Sequence, residues 1–198
     1  MKNKVLMGLA AIAMVAVLSS CGKKPQAEID ATNAAIAAAQ AAEANVYVPA
    51  EFTALQDSMN AINAAVAAQE SKLFKKYGPI KEQLAKTLTL ANTTATNAAA
   101  KKEEVKKDAE TLLNDIKAVI EENGKLITKA PRGKEGAAVI EQIKADMATV
   151  TTAVADAQAS FEKGTYMDAD TKIKAAKAKA DGINAELKEA IAKVKGRR

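Results

Sequence analysis

The chain offers few side chains that could carry out chemistry. It contains a single cysteine, Cys21, and no histidine. Without histidine the commonest general base is missing, and so are Ser-His and Cys-His nucleophile pairs and ordinary zinc or haem ligation. A lone cysteine has no partner for an intramolecular disulfide. Cys21 is therefore the residue whose chemistry most needs an explanation.

One short pattern imitates a catalytic motif. Ser160 and Lys163 have the Ser-x-x-Lys spacing of penicillin-binding enzymes. The companion Ser-Asp-Asn and Lys-Thr-Gly motifs are absent from the sequence, and Phe161 falls in the apolar seam of a predicted helix. No glycine-rich phosphate loop occurs either. We therefore predict that the protein is not an enzyme and has no catalytic residue, no cofactor and no metal site.

The residues before Cys21 form a recognisable export pattern. Lys2 and Lys4 precede an unbroken apolar run from Val5 to Leu18, which has the length of a signal-peptide core and is short for a bilayer span. The run ends in Leu18-Ser19-Ser20-Cys21, which resembles the lipobox of bacterial lipoproteins. The resemblance implies that residues 1–20 are a signal peptide that is removed and that the Cys21 thiol becomes lipid-modified.

The same resemblance implies a location. Lipoproteins of this kind stay in the cell envelope, because two or three acyl chains hold a protein on a membrane stably, whereas one chain does so only marginally. Gly22 follows the cysteine, which by resemblance to lipoproteins of two-membrane bacteria favours the outer membrane, facing the periplasm. Residues 21–27 are predicted to be the lipidated cysteine and a short tether, and residues 28–198 a helical bundle domain.

Charge suggests a second kind of contact. Removal of Lys2 and Lys4 lowers the formal charge from +5 to +3, which is a mild bias with no indication of nucleic-acid binding. Basic residues are concentrated near the end of the chain, and Lys193, Lys195, Arg197 and Arg198 could contact lipid headgroups or an anionic cell-wall polymer. The alternative is a solvated helix face with a basic tail.

The composition predicts long helices in close contact. Almost half of the chain is hydrophobic, yet it has only three Phe, three Tyr and no Trp, and alanine, which dominates it, has the best helix propensity. Apolar spacing and turn residues predict five helical segments. The first three are expected at about Gln26–Asn45, at Pro49–Lys76, and from Gly78 to Asn123-Gly124. The fourth should follow a loop that contains Pro131, Gly133 and Gly136 and should end at a left-handed Gly164. The fifth should run from an N-cap at Asp168 to Gly196.

Apolar residues within these segments alternate in steps of three and four, as in coiled coils. The second helix carries the series through to Leu73. The third helix, expected to be roughly 65 Å long, carries Leu88, Ala91, Ala95, Ala98, Lys102, Val105, Ala109, Leu112, Ile116 and Val119. The ammonium of Lys102 is expected to reach solvent, with an acidic partner as the alternative. Gly182 indicates either a close helix approach or a weak point in the last helix.

These features define the predicted fold class. It is all-α: an elongated, antiparallel, coiled-coil-like bundle of about five helices that share one long central helix. Helices one and two should pack beside its first part, and helices four and five beside its second. The alanine-rich stretch 91–100 should allow unusually close packing.

Two further resemblances concern turns. Residues 41–52, with the turn Tyr47-Val48-Pro49, resemble an alanine-rich helical family of bacterial envelope proteins that is a domain of unknown function. Residues 164–169 are similar to the inter-helix turn of a tetratricopeptide repeat, although the flanking helices are about twice too long. Each turn tyrosine is expected to pack under its turn.

The sequence leaves two functional readings open. The first is a membrane-anchored structural, scaffolding or protein-interaction rod, whose partner is an unidentified envelope protein and which could form oligomers. The alternative is a binding module for an anionic envelope polymer or lipid, which would use the basic last helix. An enzyme with an unrecognised carboxylate site is a third class that no motif supports.

Overall fold

The structure is a computed structural model, and it describes residues 23–131 and 134–195. These ranges are helical throughout, apart from short connections, and contain no strand. The helices are α1 (Gln26–Ala41), α2 (Ala44–Tyr47), α3 (Pro49–Glu70), α4 (Gly78–Lys129), α5 (Lys134–Glu162) and α6 (Tyr166–Lys195). The residues outside the described ranges include several that the predictions name: the predicted signal peptide, Cys21, Gly22, Gly133, Gly196, Arg197 and Arg198.

A single long helix organises the fold. Helix α4 has 52 residues, which corresponds to about 78 Å at a rise of about 1.5 Å per residue. The predicted shared helix is confirmed, but its predicted end at Asn123-Gly124 is wrong. The helix passes through both residues because the Asn123 side chain is fully buried with hydrogen-bonding partners, and a single exposed glycine weakens a helix by only about 1 kcal/mol.

The first half of α4 belongs to a three-helix bundle with α1 and α3. Helix α1 runs parallel to α4, since Glu28 pairs with Lys81 at 3.0 Å and, just beyond α1, Glu43 pairs with Lys102 at 2.9 Å. Helix α3 runs antiparallel to both helices. We call this assembly the first bundle.

The second half of α4 forms an equivalent bundle with α5 and α6. Helix α6 is again parallel to α4, because Tyr166 lies near Lys106 and the carbonyl of Ala180 lies 2.8 Å from the Nδ2 of Asn123. Helix α5 returns antiparallel between them. In this second bundle, as in the first, sequential long helices are antiparallel, as predicted, and the outer two are parallel.

The buried face of α4 differs in part from the predicted seam. It consists of Ile80, Leu84, Thr87, Ala91, Thr94, Ala98, Val105, Ala109, Leu113, Ile116 and Asn123. The predicted Leu88, Ala95, Lys102, Leu112 and Val119 are only half-buried. Along its whole length α4 packs against two helices, so its most buried residues face the groove between those two helices. Thr87 and Thr94 occupy this most buried position, and Leu88 and Ala95 lie beside it.

Two predicted helix ends are also wrong. Helix α3 ends at Glu70, so Leu73 is not a seam residue; it lies in the following loop with 91% of its surface exposed. Helix α6 begins at Tyr166, which places Asp168 inside the first turn instead of at the N-cap. Gly164 is left-handed as predicted, with φ of +80°, and Thr165 N–H donates to the Ser160 carbonyl at 3.0 Å, closing the helix end.

The described part of the chain contains its own cores. The buried apolar residues extend from Ile29 to Leu187, so a fragment that begins at Lys23 carries both bundles complete. None of the described helices combines the length and apolar character that a bilayer span requires.

Candidate functional site: the two ends and the centre of the rod

One end of the rod gathers the start of the described chain. Lys24 pairs with Glu70 at 3.0 Å, which brings the start of α1 beside the end of α3. Glu28 pairs with Lys81 in the first turn of α4. Burial raises the pKa of the Glu28 carboxyl, but the hydrogen bond from Lys81, a backbone hydrogen bond and the lysine charge together bring it below its ordinary value. We call this the proximal end, and it is the end nearest in sequence to Cys21.

The opposite, distal end carries Lys193 and Lys195, two of the four predicted basic residues. Because α6 runs parallel to α4, its last residue, Lys195, lies at the end where α4 finishes. The exposed side chain of Lys193 pairs with Glu189 at 2.6 Å, and this hydrogen bond lowers the pKa of the Glu189 carboxyl. The structure thus places Lys193 and the end of α6 about one rod length from the proximal end.

The basic last helix is largely neutralised by its own neighbours. Most of its lysines are engaged in ion pairs along the helix or with α4 and α5. The pairs are Lys172–Asp168, Lys174–Asp170, Lys177–Asp181, Lys179–Asp146 and Lys188–Glu122. A polyanion approaching this face would therefore meet alternating charges, and the same holds for Lys193 near the tip, which pairs with Glu189.

The two bundles meet at the centre of the rod around Lys102. Its Nζ lies 2.9 Å from Glu43 and 5.8 Å from the centre of the Tyr47 ring, within the range of a cation–π contact. The hydrogen bond to Glu43 raises the pKa of the Lys102 ammonium. The expectation that this ammonium simply reaches solvent is therefore wrong, although the side chain stays partly exposed.

Glu43 holds an unusual backbone conformation to reach this position. Its φ of 59° makes it the only left-handed non-glycine residue in the described ranges. This backbone conformation costs a residue that has a side chain roughly 1–2 kcal/mol. This turn ends α1 and directs α2 across α4. Sequence reasoning missed the Glu43–Lys102 pair because the two residues are far apart in the chain and neither belongs to a motif.

Ser160, the serine of the Ser-x-x-Lys pattern, belongs to a polar cluster at the α5–α6 turn. Ser160 donates to Asp168 at 2.6 Å, and Lys172 donates to both Ser160 and Asp168 at 2.9 and 2.6 Å. The hydrogen bond from Lys172 lowers the pKa of the Asp168 carboxyl. The cluster therefore fastens the turn, and Lys163 takes no part in it.

Neither grooves nor carboxylate clusters form a reactive site among the described residues. A groove of 290 Å³ between α3 and α4 is lined by Ser58, Ala61, Ile62, Gln83, Lys86 and Thr87. It is shallow and presents no cluster of groups that could do chemistry. No set of three or more candidate metal ligands is gathered anywhere in the described ranges.

No protein family matches the chain, and no curated protein and no solved structure matches it either.

Proposed function

We propose that this protein is an envelope lipoprotein that acts as a structural or scaffolding rod, attached to a membrane through Cys21 at its proximal end. The observation that carries the proposal is the single 52-residue helix α4, which separates the two ends of the molecule by about 78 Å. A shape of this kind holds partners apart or presents a contact point at a distance. No cluster of reactive side chains along the described rod competes with that role.

The proposed attachment site lies close in sequence to the proximal end of the rod. Lys24 is fixed at the proximal end by Glu70, and Cys21 lies only three residues before it in the sequence. A lipid on Cys21 would therefore hold the proximal end at the membrane. The distal end, with the α4–α5 connection and the end of α6, would then face a partner away from that surface.

Metabolic labelling with a fatty-acid probe tests the attachment. The full chain should incorporate the probe, and Cys21→Ser should not, because a hydroxyl cannot replace the thiol that is alkylated. Ser71→Ala, which leaves the cysteine in place, is the control and should be labelled like the parent. Equal labelling of the parent and Cys21→Ser would refute the lipid anchor.

A second candidate function is binding of an anionic envelope polymer at the distal end. The observation in its favour is that Lys193 and the end of α6 lie at a tip; the ion pairs along α6, including the one between Lys193 and Glu189, weigh against it. Co-sedimentation with isolated cell wall at low and high salt distinguishes the two functions, because charge-driven binding weakens as salt screens it. Lys193→Gln/Lys195→Gln/Arg197→Gln/Arg198→Gln should abolish such binding, and Lys86→Gln/Lys107→Gln/Lys117→Gln/Lys163→Gln should not. Binding that is unchanged by high salt and by the four distal substitutions would favour the scaffolding function.

A further inference from the structure

We propose that the loop 71–77 at the proximal end is a membrane-docking wedge that inserts Leu73 and Phe74 into the surface of an anionic lipid bilayer. These two side chains are 91% and 81% exposed, more than any other large apolar side chain in the described ranges. Adjacent exposed apolar residues of this size mark interaction or membrane surfaces in soluble domains. We call residues 71–77 the proximal loop.

The proximal loop is held in place at both of its ends. Ser71 Oγ donates to the Ala68 carbonyl at 3.1 Å, and the Lys76 N–H donates to the Gln69 side chain at 3.1 Å. Tyr77, at the other end, is 1% exposed in the core beneath. Leu73 and Phe74 are thus presented outward by a fastened loop, and neither folds back onto the bundle.

The charge around this apolar pair indicates a lipid surface. Lys72, Lys75 and Lys76 flank it and are exposed, and none of the three forms an ion pair with another described residue. No acidic residue occurs between Glu70 and Glu82. Leucine and phenylalanine bordered by lysines match the boundary between acyl chains and anionic headgroups, where each basic residue contributes about 1 kcal/mol.

The position of the loop supports the same occupant. Lys24 is paired with Glu70, directly before the loop, and the three residues back to Cys21 can extend at most about 10 Å. This step rests on the proposed lipid anchor. Acyl chains on Cys21 and the side chains of the loop would then enter one bilayer side by side.

A second contact changes what the anchor does. Attachment at Cys21 alone would let the rod tilt until it lies on the membrane. Two contacts at the proximal end, where α4 begins, restrict that tilt and direct the helix axis away from the bilayer. The wedge would therefore keep the distal end at a distance from the membrane surface.

Tryptophan fluorescence tests the insertion directly, because the natural chain has no tryptophan. In a fragment that starts at Lys23, Phe74→Trp should emit at shorter wavelength when vesicles of phosphatidylglycerol and phosphatidylcholine in equal parts are added, and lipids brominated on the acyl chain should quench it. Val139→Trp, at a site that is exposed in α5, should show neither change. An unchanged Phe74→Trp spectrum would overturn the proposal. A shift that appears with rising protein concentration in the absence of vesicles would assign the loop to a second copy of the chain instead.

Vesicle partitioning measures the contribution of the apolar pair. Leu73→Ser/Phe74→Ser should lower the partition coefficient roughly tenfold or more, because it removes two side chains that gain by leaving water. Val139→Ser should leave partitioning within about twofold, as an exposed apolar residue outside the loop contributes little. Equal partitioning of the loop variant and the parent would overturn the wedge.

The two proposals fail in different ways. The vesicle experiments use unlipidated protein, so they report on the loop whether or not Cys21 carries a lipid. Fatty-acid labelling of the full chain reports on Cys21 whether or not the loop inserts. Labelling without vesicle binding would leave the anchor and remove the wedge, and vesicle binding without labelling would do the reverse.

Discussion

The two bundles share one helix but are packed in different ways. In the first bundle α4 contributes Ile80 and Leu84 near the proximal end and then the smaller Thr87, Ala91, Thr94 and Ala98, and the buried apolar residues fall into two separate clusters. In the second bundle α4 contributes Ala109, Leu113 and Ile116 to one continuous cluster. The same step of three and four along a helix therefore supports two kinds of core: one divided into two clusters, and one that is continuous.

The buried polar groups of the two bundles differ as well. In the first bundle the Thr94 hydroxyl is buried without a hydrogen-bonding partner among the described residues. In the second, buried Asn123 donates to the Ala180 carbonyl and accepts from Asn184 at 2.7 Å. A fully bonded asparagine fixes the register between helices, whereas an unbonded hydroxyl only weakens a core. Each bundle thus holds one buried oxygen without a partner among the described residues, since Asp170 Oδ1 in α6 also lacks one, and the second bundle is distinguished by the bonded Asn123.

Truncation of a core leucine should have the largest effect and separate the two packing modes. Leu187→Ala and Leu84→Ala should each lower the free energy of unfolding by about 2–5 kcal/mol, since both side chains are buried. Hydrogen exchange should show lost protection throughout the second bundle for Leu187→Ala. For Leu84→Ala the loss should concentrate around its own cluster near the proximal end. Uniform loss across the first bundle would mean that its two clusters act as one.

Removal of the buried asparagine tests the register argument. Asn123→Ala should lower the free energy of unfolding by about 1–3 kcal/mol, because it deletes buried hydrogen bonds to Ala180 and Asn184. Asn114→Ala, on the exposed face of the same helix, is the matched control and should change stability by less than about 0.5 kcal/mol. Equal effects in chemical denaturation would contradict the role assigned to Asn123.

Replacing the two glycines of α6 and its preceding turn by alanine should change stability in opposite directions. An added Cβ at Gly182 would meet nothing within 4 Å, so the close approach considered from the sequence is absent and Gly182→Ala should raise stability by about 1 kcal/mol. Gly164→Ala should lower stability by about 1 kcal/mol, because φ at this position is +80°. Thermal unfolding of both variants measures the contrast, and a destabilising Gly182→Ala would show that α6 needs flexibility there.

The threonines of the first bundle should give the smallest effects. Thr94→Val should raise stability by about 1 kcal/mol, since it replaces a buried hydroxyl that lacks a partner. Thr32→Val should not, because that hydroxyl donates to the Glu28 carbonyl at 2.8 Å. Denaturant unfolding of the two valine variants measures this difference. If both variants stabilise the protein equally, the claim that only the Thr94 hydroxyl lacks a partner is contradicted.

Sequence reasoning located the turns better than the helix faces. Pro49, Gly78-Pro79 and Gly164 act through local backbone preferences, and all three mark real boundaries. The buried face of α4 depends on which helices surround it, so a rule that counts apolar residues passed over Thr87 and Thr94. For the same reason the step of three and four was extended to Leu73, beyond the true end of α3.

The polar contacts could not be found from the sequence. The partner of Lys102 is Glu43, and the partners of Asn123 are in α6; these pairs form only when distant helices pack together. Asn123-Gly124 was read as a stop because both residues disfavour helices locally. Tertiary packing of the asparagine outweighs that preference, which is worth only about 1 kcal/mol for the glycine.

The most direct test of the rod is a distance across it. In a fragment that starts at Lys23, which contains no cysteine, Glu82→Cys and Thr128→Cys place two spin labels at exposed positions near the ends of α4. Pulsed electron paramagnetic resonance should give one narrow distribution near 70 Å, about the length of the intervening helix at roughly 1.5 Å per residue. A dominant distance below about half that value would show that α4 is broken and the two bundles fold against each other.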